Sequence, residues 1–238
     1  MHIHGRILLT DLSSILKVSI DTVRRDVKEL DDLKELKKVH GGAISNVFNT
    51  YTNRNREIYE LESKSIIAQK GISLLNKGNV VLISGGSTNL ELVKLLPQKL
   101  NLTFFTPSLS MAIELLNNVS EDDRVIFIGG KLSKRSQLAI GGSTIKFVSE
   151  IKADICFLGT GWLDVNEGIT AIDWEITQLK KAMIHASKKL VSLTISEKLD
   201  TINRYKICDI NALDTLVTEL EPNSEMLDQY RERGIKLL

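Results

Sequence analysis

Two runs of residues in this chain have the types and spacing to do chemistry. The first is Ile83-Ser84-Gly85-Gly86-Ser87-Thr88-Asn89, which follows a β-rich stretch and precedes a helical one. Glycines let a backbone turn tightly and present N–H groups, serine and threonine add hydroxyl donors, and a following helix N-terminus favours an anion. A phosphate is the natural guest, although a glycine-serine turn between strand and helix is also common without any ligand. The second run is Ser19-Ile20-Asp21-Thr22-Val23-Arg24-Arg25-Asp26-Val27-Lys28. Ser19 is a good N-cap, and Ile20, Val23, Val27 and Leu30 recur at helical spacing to anchor one face. The opposite face carries Asp21, Thr22, Arg24, Arg25 and Lys28. It suits the second helix of a helix-turn-helix, where an arginine reads guanine edges bidentately and cations neutralise phosphates. The sequence leaves open which of the two arginines reads a base. Acidic residues such as Asp11, Asp21, Asp26, Glu29, Asp31 and Asp32 nearly balance the bases, so charge alone favours a plain solvated helix.

Catalysis finds less support. Proton transfer at a sugar carbon needs a carboxylate or histidine within reach of the substrate. The segment after Gly159 offers Asp164, Glu167 and Asp173 but no Asp-His pair, and His2, His4, His40 and His185 all fall outside the expected pocket loops. A sugar-phosphate isomerase or deaminase is the rival reading, and the chain is expected not to be an enzyme. Cys156 and Cys208 each sit in an apolar stretch outside any CxxC pair, so neither a disulfide, a metal site nor a cofactor is indicated.

The elements that must position these residues follow from periodicity. Thr10 to Leu33 reads as two short helices, the first capped by Thr10 and joined to the second by a turn at Val18 and Ser19. Leu36 to Ala43 alternates apolar and basic residues before two glycines, which suits a wing of two short strands with a tight tip, carrying Lys38, His40 and Gly41. Residues 46–57 are polar and lack apolar periodicity, so the linker is placed there, with a DNA-binding domain over residues 1–45 and a second domain over 58–238. A helix through Ile66, Ile67 and Leu74 should end near Gly78. Beyond it, extended runs at Val80–Ser84, Leu102–Thr106, Arg124–Ile128, Ile155–Gly159, Leu190–Thr194 and Thr215–Thr218 alternate with helices at Leu90–Leu96, Met111–Leu116 and Glu175–Ala186, with a last helix and strand at the C-terminus. That rhythm predicts an α/β domain with a mostly parallel sheet covered by helices.

Bulk properties fit two such domains. The 238 residues are 42% hydrophobic and 26% charged, which allows a sizeable core, and the formal net charge of +1 requires any nucleic-acid contact to come from local clustering. No apolar run approaches a bilayer's thickness, and MHIHGRILLT lacks the pattern of a signal peptide, so a cytoplasmic protein without membrane contact is expected.

The run DLSSILKVSIDTVRRDVKELDDLKELKKVHGGA resembles the DNA-binding signature of the DeoR family of bacterial transcription regulators, especially in VSIDTVRRDVKEL and KKVHGGA. SGGSTN, FFTPSLSMA, IFIGGKLSKRSQLAIGG, ADICFLGTGWLDVNEGIT, WEITQLKKAMI and TISEKL extend the resemblance to the family's effector-sensing domain, which is similar in fold to ribose-phosphate isomerases, glucosamine-phosphate deaminases and CoA-transferases. The resemblance implies a winged helix-turn-helix that binds operator DNA and a Rossmann-like sensor of a phosphorylated sugar, acting as a homo-oligomeric repressor of a carbohydrate operon. A co-regulator without DNA binding is a further alternative. The resemblance also implies that Asp26 forms an internal salt bridge and that His40 and Gly41 approach the DNA backbone. Gly86, Ser87, Thr88 and Asn89 would hold the phosphate, Ser108, Gly130, Lys131, Gly161 and Trp162 would line the sugar side, and Lys181 and Lys198 would pair with charge on the effector.

Departures from the family pattern bear on both halves. Family members have a full helix ahead of HGRILLTDL, where Met1, His2 and Ile3 alone precede His4, which implies either a start further upstream or a weakened module. Lys34 and Glu35 replace a glycine and a leucine, so the second helix should end less sharply. Ser84, Pro107 and Ile195 stand where relatives carry an acid, an asparagine and an aspartate. Fewer acceptors for hydroxyls point to an effector other than the usual hexose or deoxyribose phosphates.

Overall fold

The protein is described by a computed structural model over residues 6–33, 35–39, 41–45 and 60–238. Lys34, His40 and the expected linker lie outside the described residues.

The N-terminal module orders β1 (Arg6–Leu8), α1 (Leu9–Leu16), α2 (Ile20–Asp32), β2 (Leu36–Val39) and β3 (Gly42–Ser45), its strands forming an antiparallel sheet in the order β1-β3-β2. Thr10 does not cap α1: the helix already begins at Leu9, behind Leu8, and no side chain caps it. Ser19 caps α2 as expected, its Oγ accepting from Thr22 N–H at 3.1 Å. Of the expected apolar stripe, Val23 and Val27 are buried against Leu9 and Ala43, whereas Ile20 and Leu30 stay substantially exposed. Four short elements make too small a core to cover a helix of thirteen residues along its whole length. The end of α2 is sharp even without a glycine, because Glu35 N–H donates back to the Leu30 carbonyl at 2.9 Å. Gly41 takes a positive φ of 76° beside the wing tip, while Gly42 already belongs to β3, paired with Leu8 and Val39.

The larger module begins with α3 (Leu61–Ile72), which stops short of Gly78. Asn79 Oδ1 accepts from Asn76 N–H at 2.9 Å and closes a turn, in which Gly78 has φ 77°, before the first strand. There follow β4 (Val80–Ile83), α4 (Ser87–Lys94), β5 (Thr103–Thr106), α5 (Leu109–Asn118) and β6 (Arg124–Phe127). Next come a hairpin, β7 (Lys131–Leu132) and β8 (Ala139–Ile140), then α6 (Gly142–Ser149), β9 (Ile155–Leu158), β10 (Trp162–Asp164), β11 (Gly168–Ala171) and α7 (Trp174–His185). The chain ends with β12 (Leu190–Leu193), β13 (Tyr205–Cys208), β14 (Thr215–Val217), α8 (Asp228–Glu232) and β15 (Lys236–Leu237).

Seven of these strands form a wholly parallel sheet in the order β15-β14-β12-β9-β4-β5-β6. Alternate side chains of its central strands serve opposite cores, as the two-residue period of a strand requires. Val81, Ile83, Ile155 and Phe157 pack with α3, α4 and α5, while Leu82, Cys156 and Leu158 pack with α6, α7 and the small antiparallel sheet β10-β11-β13. The expected α/β domain, a parallel sheet covered by helices, is thus present. The order also fixes where a ligand belongs. β4 and β9 are neighbours, yet the chain runs from β4 toward β5 and β6 and from β9 toward β12, β14 and β15. The loops leaving their carboxyl ends therefore part, and such a switch point is where open parallel sheets hold ligands.

Candidate effector site and DNA-binding face

The glycine-rich run sits at that switch point. Gly86 has φ 143°, a conformation that side chains rarely adopt, and precedes α4, which no side chain caps. The first amides of α4 therefore point into the crevice without a capping acceptor. Across the crevice, a Cβ on Gly159 would stand 2.0 Å from the Gly85 carbonyl oxygen, so the two loops touch through backbone alone. Asn89 is the tie between them: its Nδ2 donates to the Ser84 carbonyl at 3.0 Å and the Phe157 carbonyl at 3.2 Å. Its amide thus shapes the cradle, while Ser87 and the buried Thr88 stand on the first turn of α4.

Two lysines enter the crevice from the other side of β9. Lys180 Nζ, on α7, donates to the Gly159 carbonyl, and Lys198 Nζ, just past β12, donates to the Thr160 carbonyl at 3.3 Å. Both are buried, and neither takes part in an ion pair among the described residues. Burial pulls the Lys180 ammonium down to about 8. Burial, then the neighbouring Lys64 and Lys180, pull Lys198 down to about 7 against the pull of Glu197. Lys64, on α3, is itself brought to about 8 by burial, offset in part by Glu60, Glu91 and Glu197. Hydroxyls of Thr160, Ser192 and Thr194 chain along the floor, with Ser192 Oγ donating to Thr160 Oγ1 at 2.7 Å.

Lys180 also borders a cavity of about 100 Å³, open to solvent, whose walls include Arg135, Ser136, Gly161, Trp162, Asp173 and Ile176. The structure thus brings Gly85 to Asn89, Gly161, Trp162 and Lys198 around one crevice and its neighbouring cavity. Ser108 caps α5, its Oγ accepting from Met111 N–H at 3.3 Å, and it would lie 3.0 Å from a Cβ on Gly85. Gly130 and Lys131 are exposed at the start of the hairpin, where Lys131 pairs with Glu175 at 3.3 Å. Lys181 is half-buried, does not line the cavity, and bonds through its carbonyl with His185 Nδ1 at 2.7 Å. Its neighbour Lys180 takes the inward position. The sequence held a signal for that: Lys180 falls four residues after Ile176 and three before Met183, on the apolar stripe, and a lysine on such a stripe must answer for its charge. Gly159, Thr160 and Lys64 escaped the sequence reading as well.

On the N-terminal module, Arg24, Arg25, Lys28 and Lys38 are exposed. Thr22 is half-buried, with its hydroxyl 2.8 Å from that of Ser19. Arg24 Nη1 donates to Asp21 Oδ1 at 2.6 Å. Asp26 is exposed, and no ion pair to it forms among the described residues. Gly41 lies at the wing, its carbonyl accepting from Leu9 N–H at 2.9 Å, while His40 lies outside the described residues.

A winged helix-turn-helix followed by an α/β domain with a glycine-rich loop at its switch point defines a two-part regulator. Comparisons with known proteins agree. A family model described as the DeoR-like helix-turn-helix domain matches residues 2–47, and one described as the DeoR C terminal sensor domain matches residues 60–220. The HTH-type transcriptional regulator GolR of Listeria innocua is 31% identical over 98% of this chain and 91% of its own length. The HTH-type transcriptional repressor GlcR of Bacillus subtilis is 28% identical over 99% and 90%, and the glycerol-3-phosphate regulon repressor of Escherichia coli 27% over 98% and 92%. This chain belongs to the DeoR family of transcriptional regulators. No helix among the described residues is long and apolar enough to cross a membrane.

Proposed function

We propose that this regulator is a cytoplasmic repressor of a carbohydrate-utilisation operon. Residues 1–45 bind operator DNA as part of a homo-oligomer, and residues 58–238 bind a phosphorylated metabolite at the crevice between β4 and β9. The observation that carries the effector reading is the pair Lys180 and Lys198. A buried ammonium with only carbonyl acceptors lacks its counter-charge. Two of them facing an uncapped helix N-terminus make a site whose missing charge a phosphate dianion supplies.

The adjoining cavity then takes the rest of the effector. Ile195 is buried and Ser84 Oγ lies buried among β-strand ends, so the floor offers few carboxylate acceptors for sugar hydroxyls. The phosphate is the anchored end. Catalysis is disfavoured because the nearby carboxylates are committed to backbone. Asp173 Oδ1 accepts from Ile176 N–H at 3.0 Å, and Asp164 Oδ1 accepts from the N–H groups of Asn166 and Glu167 at 2.8 Å.

Thermal melting with inorganic phosphate and a panel of sugar phosphates tests the reading, since a ligand selective for the folded state raises the transition. At least one phosphate monoester should raise it while its unphosphorylated sugar does not. A melting temperature that no phosphorylated compound raises would refute the assignment.

A further inference from the structure

The exposed face of α2 carries two carboxylates among its cations, Asp32 in its last turn and Asp21 in its first, where the helix N-terminus favours an acid but an approaching phosphate does not. At 100° per residue, Asp21, Arg24, Arg25 and Lys28 fall in one sector, roughly opposite the buried Val23 and Val27. A carboxylate in that sector opposes the attraction to phosphates that the three cations provide. The Asp21 side chain is 86% exposed, so its pairing with Arg24 contributes little to stability.

What the pairing does supply is direction. Asp21 Oδ1 takes one donor of Arg24, Nη1, at 2.6 Å, and so restrains the orientation of the guanidinium. The remaining donors still form the flat fork that guanine O6 and N7 require. Arg25 and Lys28 enter no ion pair among the described residues, and the Thr22 hydroxyl is engaged with Ser19. Arg24 is thus the one cation of this face that a side chain holds in place among the described residues. Asp21 Oδ2 makes no hydrogen bond among them, which leaves an acceptor for the amino group of an adjacent cytosine or adenine.

The geometry points to Asp21 as a positioning residue for Arg24, the two forming one unit that selects a guanine in each half-site, while Arg25 and Lys28 contact phosphates. This rests on the DNA-binding reading of α2. The test is selection from a random duplex library by the full-length wild type, Asp21→Asn, Arg24→Lys and Lys28→Ala. The wild type should enrich a site in which one position per half-site prefers guanine by roughly tenfold or more. In Asp21→Asn and Arg24→Lys that preference should fall to about threefold or less while other positions keep theirs. Low-salt affinity of Asp21→Asn for random duplex should be unchanged or higher, because a negative charge has gone. Lys28→Ala should weaken all sequences alike and lower the salt slope by about one. An unchanged or sharpened preference in Asp21→Asn overturns the proposal. So does a fall in its melting temperature without loss of that preference, which would assign Asp21 to helix stability alone. If the wild type enriches nothing, the DNA-binding reading fails and this proposal with it.

Discussion

Replacing Lys198 with methionine should stabilise the sensor domain and silence it at once. An unfolded lysine keeps its usual value near 10.5, while in the folded domain burial and the cations beside it bring Lys198 to about 7. The sign follows from proton counting. Between these values the unfolded chain holds a proton that the folded chain has given up, so folding is penalised, fully below pH 7 and progressively less as pH rises toward 10.5. At pH 7.5 the gap of about three pH units below 10.5 corresponds to an upper bound of about 4 kcal/mol. Local relaxation and the hydrogen bond lost at the Thr160 carbonyl reduce the expected gain to roughly 1–3 kcal/mol. Methionine keeps the length of the stem and carries no charge. For a domain of this size the gain raises the melting temperature by roughly 2–12 °C. Calorimetry at pH 6, 7.5 and 9, with and without inorganic phosphate, measures both effects. The variant should melt higher than the wild type at pH 6 and 7.5, approach it at pH 9, and show no added stabilisation by phosphate. A variant that melts lower at every pH, or one that phosphate still stabilises, would refute the view of Lys198 as a buried cation awaiting an anion.

Further predictions follow from the same geometry. Affinity for a phosphate monoester, which is a dianion throughout this range, should fall at least about tenfold between pH 7 and pH 9 as Lys198, Lys180 and Lys64 lose their protons, in the order of their values near 7, 8 and 8. Titration calorimetry reads this directly, and a constant affinity would count against the lysines. Gly159→Ala places a methyl 2.0 Å from the Gly85 oxygen, so the two loops must separate. Urea denaturation should show a loss of roughly 2 kcal/mol or more, together with a lost phosphate response, and a wild-type response would show that the loops need not touch. Replacing Arg24 and Arg25 together by alanine should abolish sequence-specific DNA binding while the melting of the sensor domain stays unchanged, and retained specific binding would move the interface elsewhere.

The alternation of apolar runs with helical stripes made the parallel sheet legible, because residues 81–83 and Ile155–Leu158 are buried on both faces and so read as continuous apolar strings. The same rule hid the smaller parts. β7, β8, β10 and β11 are two to four residues long and lie among glycines and polar residues, too short for a period to show. α6 leaves little signal in the sequence because it begins within a glycine pair, Gly141-Gly142, that reads as a turn. The glycine-rich cradle was visible as a local motif, but its partner across β9 was not. The contact between Gly159 and Gly85 and the inward turn of Lys180 depend on strand order, which places residues far apart in the chain side by side. The resemblance points to Lys181 rather than Lys180, and one step along a helix is a 100° change of face.

The most direct measurement is the anisotropy of a fluorescent duplex, selected from a random library by this protein, titrated with sugar phosphates. For the wild type, at least one phosphate monoester should change the affinity for that duplex several-fold, while Lys180→Met and Lys198→Met bind the same duplex and no longer respond. A complex indifferent to every phosphate monoester, or variants that respond as the wild type does, would contradict a sensor built around two buried lysines and a helix N-terminus.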